Sequence, residues 1–135
     1  MAWVLRLDGV NDYPNFTPVS LAAGDSLSFN YIATDSAGAN NNYFVDGTNS
    51  SNRPYLFIYN GKLEFNASFI DVSLDDTPIT TKQTAPPQDG LQHKLTLTVK
   101  NNCVFGRFAN RYTSEAYMKL DLIDLTIVKL NSDFL

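Results

Sequence analysis

The chain has 135 residues, a formal net charge of -4 and one cysteine, and these figures exclude several classes of protein. At this length folding buries roughly two-thirds of the unfolded surface, so we expect a single domain over residues 1–135. The ten Lys and Arg are scattered singly, so no nucleic-acid partner is expected. One Cys allows no intramolecular disulfide and no zinc site on paired thiolates. No apolar run approaches ~20 residues and no signal peptide opens the chain, so neither membrane insertion nor export is expected.

Alternating apolar residues predict strands in the first half of the chain. Trp3, Leu5 and Leu7 lie on one side and Val4, Arg6 and Asp8 on the other, which indicates a half-buried strand that starts at residue 2 or 3 and ends at residue 8. The run "SLSFNYIA" (residues 26–33) has the same period of two, with Leu27, Phe29 and Tyr31 on one face. Between two polar loops, "YFV" (residues 43–45) predicts another short strand.

The segment "PYLFIYNGKLEFN" (residues 54–66) predicts a hairpin with a defined register. Asn60 and Gly61 between two apolar runs favour a two-residue primed turn. The strands then pair as Tyr59 with Lys62, Ile58 with Leu63, Phe57 with Glu64, and Leu56 with Phe65. One face of this hairpin is entirely apolar and is predicted to be core.

The other face of the hairpin is the candidate binding site. It carries Tyr55, Phe57 and Tyr59 beside Lys62 and Glu64, a mixed set that we expect to be at least partly exposed to solvent or to a partner. A row of exposed rings can lie under sugar rings or under another protein. The alternative is that a loop or a neighbouring strand covers the rings.

Two further strands are predicted in the middle of the chain. One is "IDVSL" (residues 70–74), followed by a turn, a short strand and a Pro-rich loop. The other is "LQHKLTLTVK" (residues 91–100), whose apolar side includes Leu91 and His93. A two-residue turn at residues 101–102 would place Val104 in the core opposite Val99, with Cys103 pointing outward.

The last apolar run, "AYMKLDLIDLTIVKL", changes phase by one residue. Leu120 and Leu122 share one parity, whereas Ile123 and Leu125 share the other. Such a slip predicts a β-bulge between Leu122 and Asp124, since otherwise one set would face water. Nine or ten short strands joined by polar turns predict an all-β fold, an antiparallel two-sheet β-sandwich or jelly roll.

Several segments, taken in order, resemble laminin G-like domains of the concanavalin A-like lectin-glucanase superfamily. The opening "LRLDGVNDYPNF" resembles the phrase with which those sandwiches begin, and "AGDSLSFNYIA", "DGLQHKLTLTV" and "YMKLDLIDLTIVK" resemble their later strands. The chain departs from the family at Gln92, where Trp is usual, and it lacks the hairpin that usually follows Val99. The resemblance implies a compact, shortened concanavalin A-like jelly roll.

Oxygen-bearing side chains near the start raise the question of a metal site. Asp8 and Asp12 flank a Gly-containing turn, and short carboxylates both close tight turns and bind cations. Some laminin G-like domains hold one Ca²⁺ at a loop rim, so the resemblance implies Ca²⁺ as the one candidate cofactor. The turn is the favoured interpretation, because no dense ligand spacing surrounds these residues.

Catalysis is not expected from the remaining polar residues. A lone His93 on the apolar side of a strand is typical of a packed, hydrogen-bonded residue, and Cys103 has no local activator. The superfamily's glucanases use closely spaced carboxylates. Their Glu-x-Asp-x-x-Glu spacing is absent here, and the nearest acidic pair is Asp121 and Asp124.

The sequence leads to three functional hypotheses. The first is a non-catalytic structural and adhesion module of a virus particle, such as a bacteriophage capsid decoration or tail-associated protein. It would bind neighbouring virion proteins as a homo-oligomer or lattice-bound subunit, and also cell-surface glycans. The second is a lectin-like carbohydrate-binding module of a larger extracellular protein. The third, and the least favoured, is a glycoside hydrolase.

Overall fold

The computed structural model describes residues 4–8, 17–33, 42–84, 87–112 and 119–130, and these residues form strands and turns without a helix. None of the described segments is therefore a helix that could cross a membrane. The described strands, in chain order, are β1 (Val4–Asp8), β2 (Val19–Leu21), β3 (Ser26–Ile32), β4 (Asn42–Asp46), β5 (Leu56–Tyr59), β6 (Lys62–Phe65), β7 (Ile70–Leu74), β8 (Thr77–Pro78), β9 (Gln92–Val99), β10 (Cys103–Phe105), β11 (Arg107–Phe108) and β12 (Lys119–Val128).

These strands form three antiparallel sheets. The largest has the order β1-β12-β3-β9-β7-β8, and the smaller two have the orders β11-β4-β5-β6 and β10-β2. Only Gly106 separates β10 from β11, so the two smaller sheets are joined through one length of chain. The predicted all-β class is confirmed, and three antiparallel sheets around one cluster of buried residues are consistent with a β-sandwich.

The central strand β3 supplies the rings on which the sheets pack. Its burial alternates along its whole length, as the period of two predicts, and Phe29 and Tyr31 are completely enclosed. The Phe29 ring lies 6.1 Å from that of Phe44 in β4 and 5.3 Å from that of Phe108 in β11. The Tyr31 ring meets Phe44 at 5.0 Å. Side chains of the six-stranded and four-stranded sheets therefore interdigitate in one core.

The β5–β6 hairpin has the predicted register, with Tyr59 opposite Lys62 at the turn. Asn60 and Gly61 have φ of 49° and 72°, the left-handed pair that a primed turn requires. The outer edge of β6 is also occupied, because the Leu63 N–H donates to the Thr84 carbonyl (2.8 Å) and the Lys82 N–H donates to the Leu63 carbonyl (2.7 Å). The segment 81–84 thus covers a sheet edge that would otherwise expose unpaired backbone groups.

The predicted bulge in the last strand is confirmed. The pairing of β12 with β3 shifts register between Ile123 and Thr126, and Asp124 within the shift has φ of 51°. Leu122 and Ile123 are consecutive and both are buried. The extra residue of the bulge allows residues of both parities, such as Leu122 and Ile123, to be buried in one strand. In a regular strand one of the two sets would face water.

The hairpin predicted across residues 99–104 is wrong. After β9 the chain leaves the six-stranded sheet, and β10 pairs with β2, which places Cys103 opposite Leu21. The backbone at the end of β9 is engaged elsewhere: the Val99 N–H donates to the Asp25 carbonyl, and the Lys100 N–H donates to the Phe69 carbonyl. Cys103 is therefore buried and does not point outward.

The strand ends show smaller differences from the prediction. In β1, Leu7 is buried and Leu5 is packed against the core, as expected, while Trp3 lies outside the described residues. Leu91 precedes β9 and is 64% exposed, although its parity placed it with the core residues of that strand. Alternation along the sequence predicts which face of the sheet a residue occupies only within a paired strand. Because β9 begins at Gln92, the alternation does not extend to Leu91.

Replacing Gly61 by Ala tests the turn. We expect the free energy of unfolding to fall by about 1 kcal/mol, because a Cβ is disfavoured at positive φ. No described atom lies within 4 Å of the added Cβ, so backbone strain is the cause and not a clash. Urea denaturation measures the change, with Asn60→Gly in the same turn as the control that relieves such strain. An unchanged stability in Gly61→Ala would mean that the turn is not of the primed type.

Candidate binding surface

The outward side of the four-stranded sheet carries the residues predicted for binding, and we call it the aromatic face. Residues directly opposite each other in neighbouring strands share a side, so Tyr43, Phe57 and Glu64 form one row across β4, β5 and β6. Tyr59 and Lys62 follow at the hairpin end, and Arg107 lies opposite Asp46 at the other end. Among the described residues, the aromatic face comprises Tyr43, Asp46, Arg53, Tyr55, Phe57, Tyr59, Lys62, Glu64, Arg107, Arg111 and Tyr112.

The three predicted rings differ in exposure. Tyr59 is 42% exposed and Tyr55 is half-buried, as expected for a partly open face, but Phe57 is only 9% exposed. The cause is Tyr43, whose ring stacks on Phe57 at 4.6 Å with 14° between the planes. A neighbouring strand therefore covers the middle ring, which was the alternative interpretation. Phe57 supports the surface, and Tyr59 is the ring that solvent reaches most freely.

Arg53 and Asp46 form the rigid end of the aromatic face. The guanidinium donates twice to the carboxylate, from Nε at 3.0 Å and from Nη2 at 2.9 Å. Asp46 is fully buried and also accepts the N–H groups of Gly47 (2.7 Å) and Tyr112 (3.0 Å). The same guanidinium lies 5.1 Å from the Tyr55 ring and 4.5 Å from the Tyr112 ring. A buried carboxylate with four donors has little freedom, so these groups are fixed before any ligand arrives.

The predicted charged members of the face have different surroundings. Lys62 is exposed beside Tyr59 and forms no ion pair with a described residue. Glu64 is half-buried opposite Phe57, and its carboxylate lies 3.5 Å from the ammonium group of Lys82. Lys62 is thus available to a partner, whereas Glu64 already has a counter-charge.

Local sequence patterns do not place Tyr43, Asp46, Arg53, Arg111 and Tyr112 on this face. The strand that contains Tyr43 was predicted, but its neighbour in the sheet was not. The register of β4 against β5 also shifts between Tyr43 and Val45, so counting along the strand would not place Asp46 correctly. No local signal identifies the other three residues, because they reach the face from loops.

The predicted metal ligands do not form a described site. Asp8 ends β1, but its side chain lies outside the described part of the structure, as does all of Asp12. In the part of the chain that the structure describes, no three His, Cys, Asp or Glu residues converge as metal ligands would. The carboxylate of Asp46 accepts hydrogen bonds from Arg53. A Ca²⁺ site at Asp8 and Asp12 stays a prediction.

His93 is held between two carboxylates. Its Nδ1 lies 2.6 Å from Asp75 and its Nε2 lies 2.9 Å from Asp89, and its side chain is only 15% exposed. The hydrogen bond with Asp75 is the largest cause that raises the pKa of His93, and Asp89 acts in the same direction. The bond from His93 likewise lowers the pKa of Asp75. The Tyr31 ring lies 5.9 Å away, so the imidazole is packed and hydrogen-bonded, as expected for a structural histidine.

The structure also describes the surroundings of Cys103, Asp121 and Asp124, the other residues considered for catalysis. Burial raises the pKa of the Cys103 thiol to about 11, so the reactive thiolate is scarce at neutral pH. Cys103 lines a cleft of about 370 Å³ together with Asp25 and Lys129. Asp121 lies 3.7 Å from Arg6, and Asp124 is exposed in the bulge of β12.

Comparison of the chain with family models, with curated proteins and with solved structures finds no match. The laminin G-like resemblance therefore stays a prediction from the sequence.

Replacing Asp46 by Ala tests the rigid end of the aromatic face. We expect a loss of about 3 kcal/mol in the free energy of unfolding, because Arg53 would remain largely buried without its counter-charge. Asp71→Ala is the matched control: Asp71 pairs with Lys100 at 3.7 Å on the surface, and its loss is worth about 0.5 kcal/mol or less. Equal losses for the two variants would contradict the assigned role of Asp46.

The position of His93 between the carboxylates of Asp75 and Asp89, which we call the His93 clamp, predicts that the protein is most stable in mildly acidic solution. Because the folded-state pKa of His93 is raised, its contribution is fully present below its unfolded value of 6.5 and is lost as the pH rises through the folded pKa. The pKa of Asp75 and of Asp89 is lowered, so their contributions are lost as the pH falls below 3.8. Melting temperatures measured across this range should decline toward alkaline pH in the wild type and much less in His93→Gln. Parallel curves for the two proteins would rule out the clamp.

Proposed function

We propose that the chain is a non-catalytic adhesion module that binds a partner protein through the aromatic face. The observation that carries this proposal is the exposed ring of Tyr59 on a preformed support. Phe57 lies next to it at 6.4 Å between ring centroids, and Phe57 is held in turn by Tyr43. A large exposed ring on a packed base supplies contact area at low entropic loss, which is what a binding anchor requires.

The composition of the face supports a protein partner. Tyrosine and arginine are the residue types most enriched at the energetic centres of protein interfaces. Here Tyr55 and Tyr112 enclose the Arg53 guanidinium, and Asp46 fixes its orientation. A partner that docks on this cluster would not have to order it, so most of the interaction energy would remain available as affinity.

The setting that we propose is a virus particle, where the chain would act as a capsid decoration or tail-associated protein in many copies. The laminin G-like phrases in the sequence support an adhesion module, and the antiparallel sheets are compatible with the compact concanavalin A-like jelly roll that those phrases imply. Repetition in a lattice or homo-oligomer would multiply weak contacts. Mass spectrometry of purified particles tests the setting: detection of the chain at a fixed copy number supports it, and absence from particles contradicts it.

A lectin-like extracellular module is the second candidate. Tyr59 favours it as well, because an exposed ring can stack on the apolar face of a sugar. A glycan array separates the two candidates: saturable binding that Tyr59→Ala abolishes would favour the lectin. Absence of binding to every glycan on the array would favour the module that binds a protein partner.

Replacing Tyr59 by Ala should weaken partner binding about 30-fold, the effect of removing about 2 kcal/mol at an interface anchor. The melting temperature should change little, because the ring is exposed. Tyr55 is less suitable for this test, since its ring packs on Arg53. The partner is first captured with a photo-cross-linking amino acid at position 59, identified by mass spectrometry, and then purified for titration.

The matched control is Leu91→Ala, which removes an exposed apolar side chain that is not on the aromatic face. A cross-linker at position 91 should not capture the same partner, and Leu91→Ala should bind like the wild type. Equal binding by Tyr59→Ala and Leu91→Ala would exclude the aromatic face as the binding surface.

A further inference from the structure

Positive charge is concentrated around the aromatic face of an otherwise acidic chain. Five of the ten basic residues lie on or beside it, namely Arg53, Lys62, Lys82, Arg107 and Arg111. The described acidic residues there are Asp46 and Glu64, so the described part of this surface carries a net charge of +3. The whole chain has a net charge of -4. The fold has therefore separated charges that are scattered along the sequence.

Two of the five cations are paired with the acidic residues of the face. Arg53 pairs with Asp46 at 2.9 Å, and Lys82 pairs with Glu64 at 3.5 Å. Lys62, Arg107 and Arg111 form no ion pair with any residue in the described ranges. These three unpaired cations account for the whole excess of charge.

The two unpaired arginines are held at the surface by contacts that leave their charge uncompensated. Arg111 lies over the Tyr43 ring at 5.7 Å, and its Nε has no hydrogen-bond partner among the described residues. Arg107 donates from Nη1 to the neighbouring Gly106 carbonyl at 2.8 Å. Both residues are half-buried, and the Nε atom of Arg111 is buried. A guanidinium presents a planar fork of donors that matches a carboxylate.

We propose that the aromatic face binds an acidic protein surface, with Lys62, Arg107 and Arg111 contacting carboxylates around the Tyr59 anchor. This inference rests on the proposed function, since it specifies the chemistry of the partner at the same surface. Charges placed around an apolar anchor steer the encounter and reject partners of the wrong sign.

The magnitude of the charge favours a protein over a polyanion. Duplex DNA carries one negative charge per about 1.7 Å of its axis, so a nucleic acid would extend well beyond a surface of +3 and be repelled by the rest of the acidic chain. A protein surface can present a compact group of about three carboxylates, which matches the three unpaired cations. The partner that fits is therefore acidic over a limited area.

Fluorescence anisotropy with a labelled oligoglutamate peptide tests this charge preference. We expect Arg107→Gln/Arg111→Gln to bind the peptide about tenfold more weakly than the wild type, and binding to weaken as salt rises from about 0.05 M to about 0.3 M. Lys119→Gln/Lys129→Gln is the matched control, because it removes the same charge at exposed positions in and just after β12. This control should bind like the wild type.

A single variant guards against a folding defect in the arginine double variant. Lys62 is exposed, so Lys62→Gln should keep the wild-type melting temperature and still weaken peptide binding about threefold. Equal binding by the face and control variants, or no peptide binding by the wild type, would overturn the proposal. Tighter binding to a single-stranded oligonucleotide or a sulfated polysaccharide of equal charge would overturn it as well.

Failure of this inference can be told apart from failure of the proposed function. If Tyr59→Ala abolishes partner binding while the charge variants and salt have no effect, the aromatic face binds a partner that is not acidic. If Tyr59→Ala and Leu91→Ala bind the captured partner equally, the face is not the binding surface and both proposals fall.

Discussion

The aromatic face depends on one fully buried carboxylate, that of Asp46. A buried carboxylate is stable only if its hydrogen-bonding capacity is filled, and here two bonds from Arg53 and two backbone N–H groups fill it. Because Asp46 needs these donors, Arg53 and Tyr112 contact the end of β4 from two loops. The guanidinium of Arg53 then lies between the rings of Tyr55 and Tyr112. The fixed arrangement of Arg53, Tyr55 and Tyr112 therefore follows from the hydrogen bonds that the buried Asp46 carboxylate requires.

The other electrostatic centre, His93, acts on loops in a similar way. Asp75 lies in the turn between β7 and β8, and Asp89 lies in the loop that leads into β9. An imidazolium can donate to both carboxylates at once, whereas a neutral imidazole can donate to only one. Protonated His93 therefore hydrogen-bonds to both loops at the same end of the six-stranded sheet. The two centres differ in that Arg53 keeps its charge at all ordinary pH values and His93 does not.

The separation of charge has a direct bearing on binding. A net charge of -4 for the whole chain does not reveal that one side of the four-stranded sheet is basic. The basic residues come from β6, β11 and three loops, and they are brought together only because those segments meet at one side of a sheet. Two of them pair with acidic residues and three form no ion pair with a described residue, so the described part of this surface has a net positive charge.

The sequence by itself determined the local features of this protein. Alternation with period two predicted β3, the Asn60–Gly61 dihedral preference predicted the register of β5 and β6, and the phase slip predicted the bulge at Asp124. Each of these depends only on residues close together along the chain. Only the tertiary structure decided that β10 pairs with β2, that Tyr43 covers Phe57 and that Arg107 and Arg111 form no ion pair with any residue the structure describes. The physical reason is that pairing of distant strands and matching of charges depend on packing between segments that no local pattern relates.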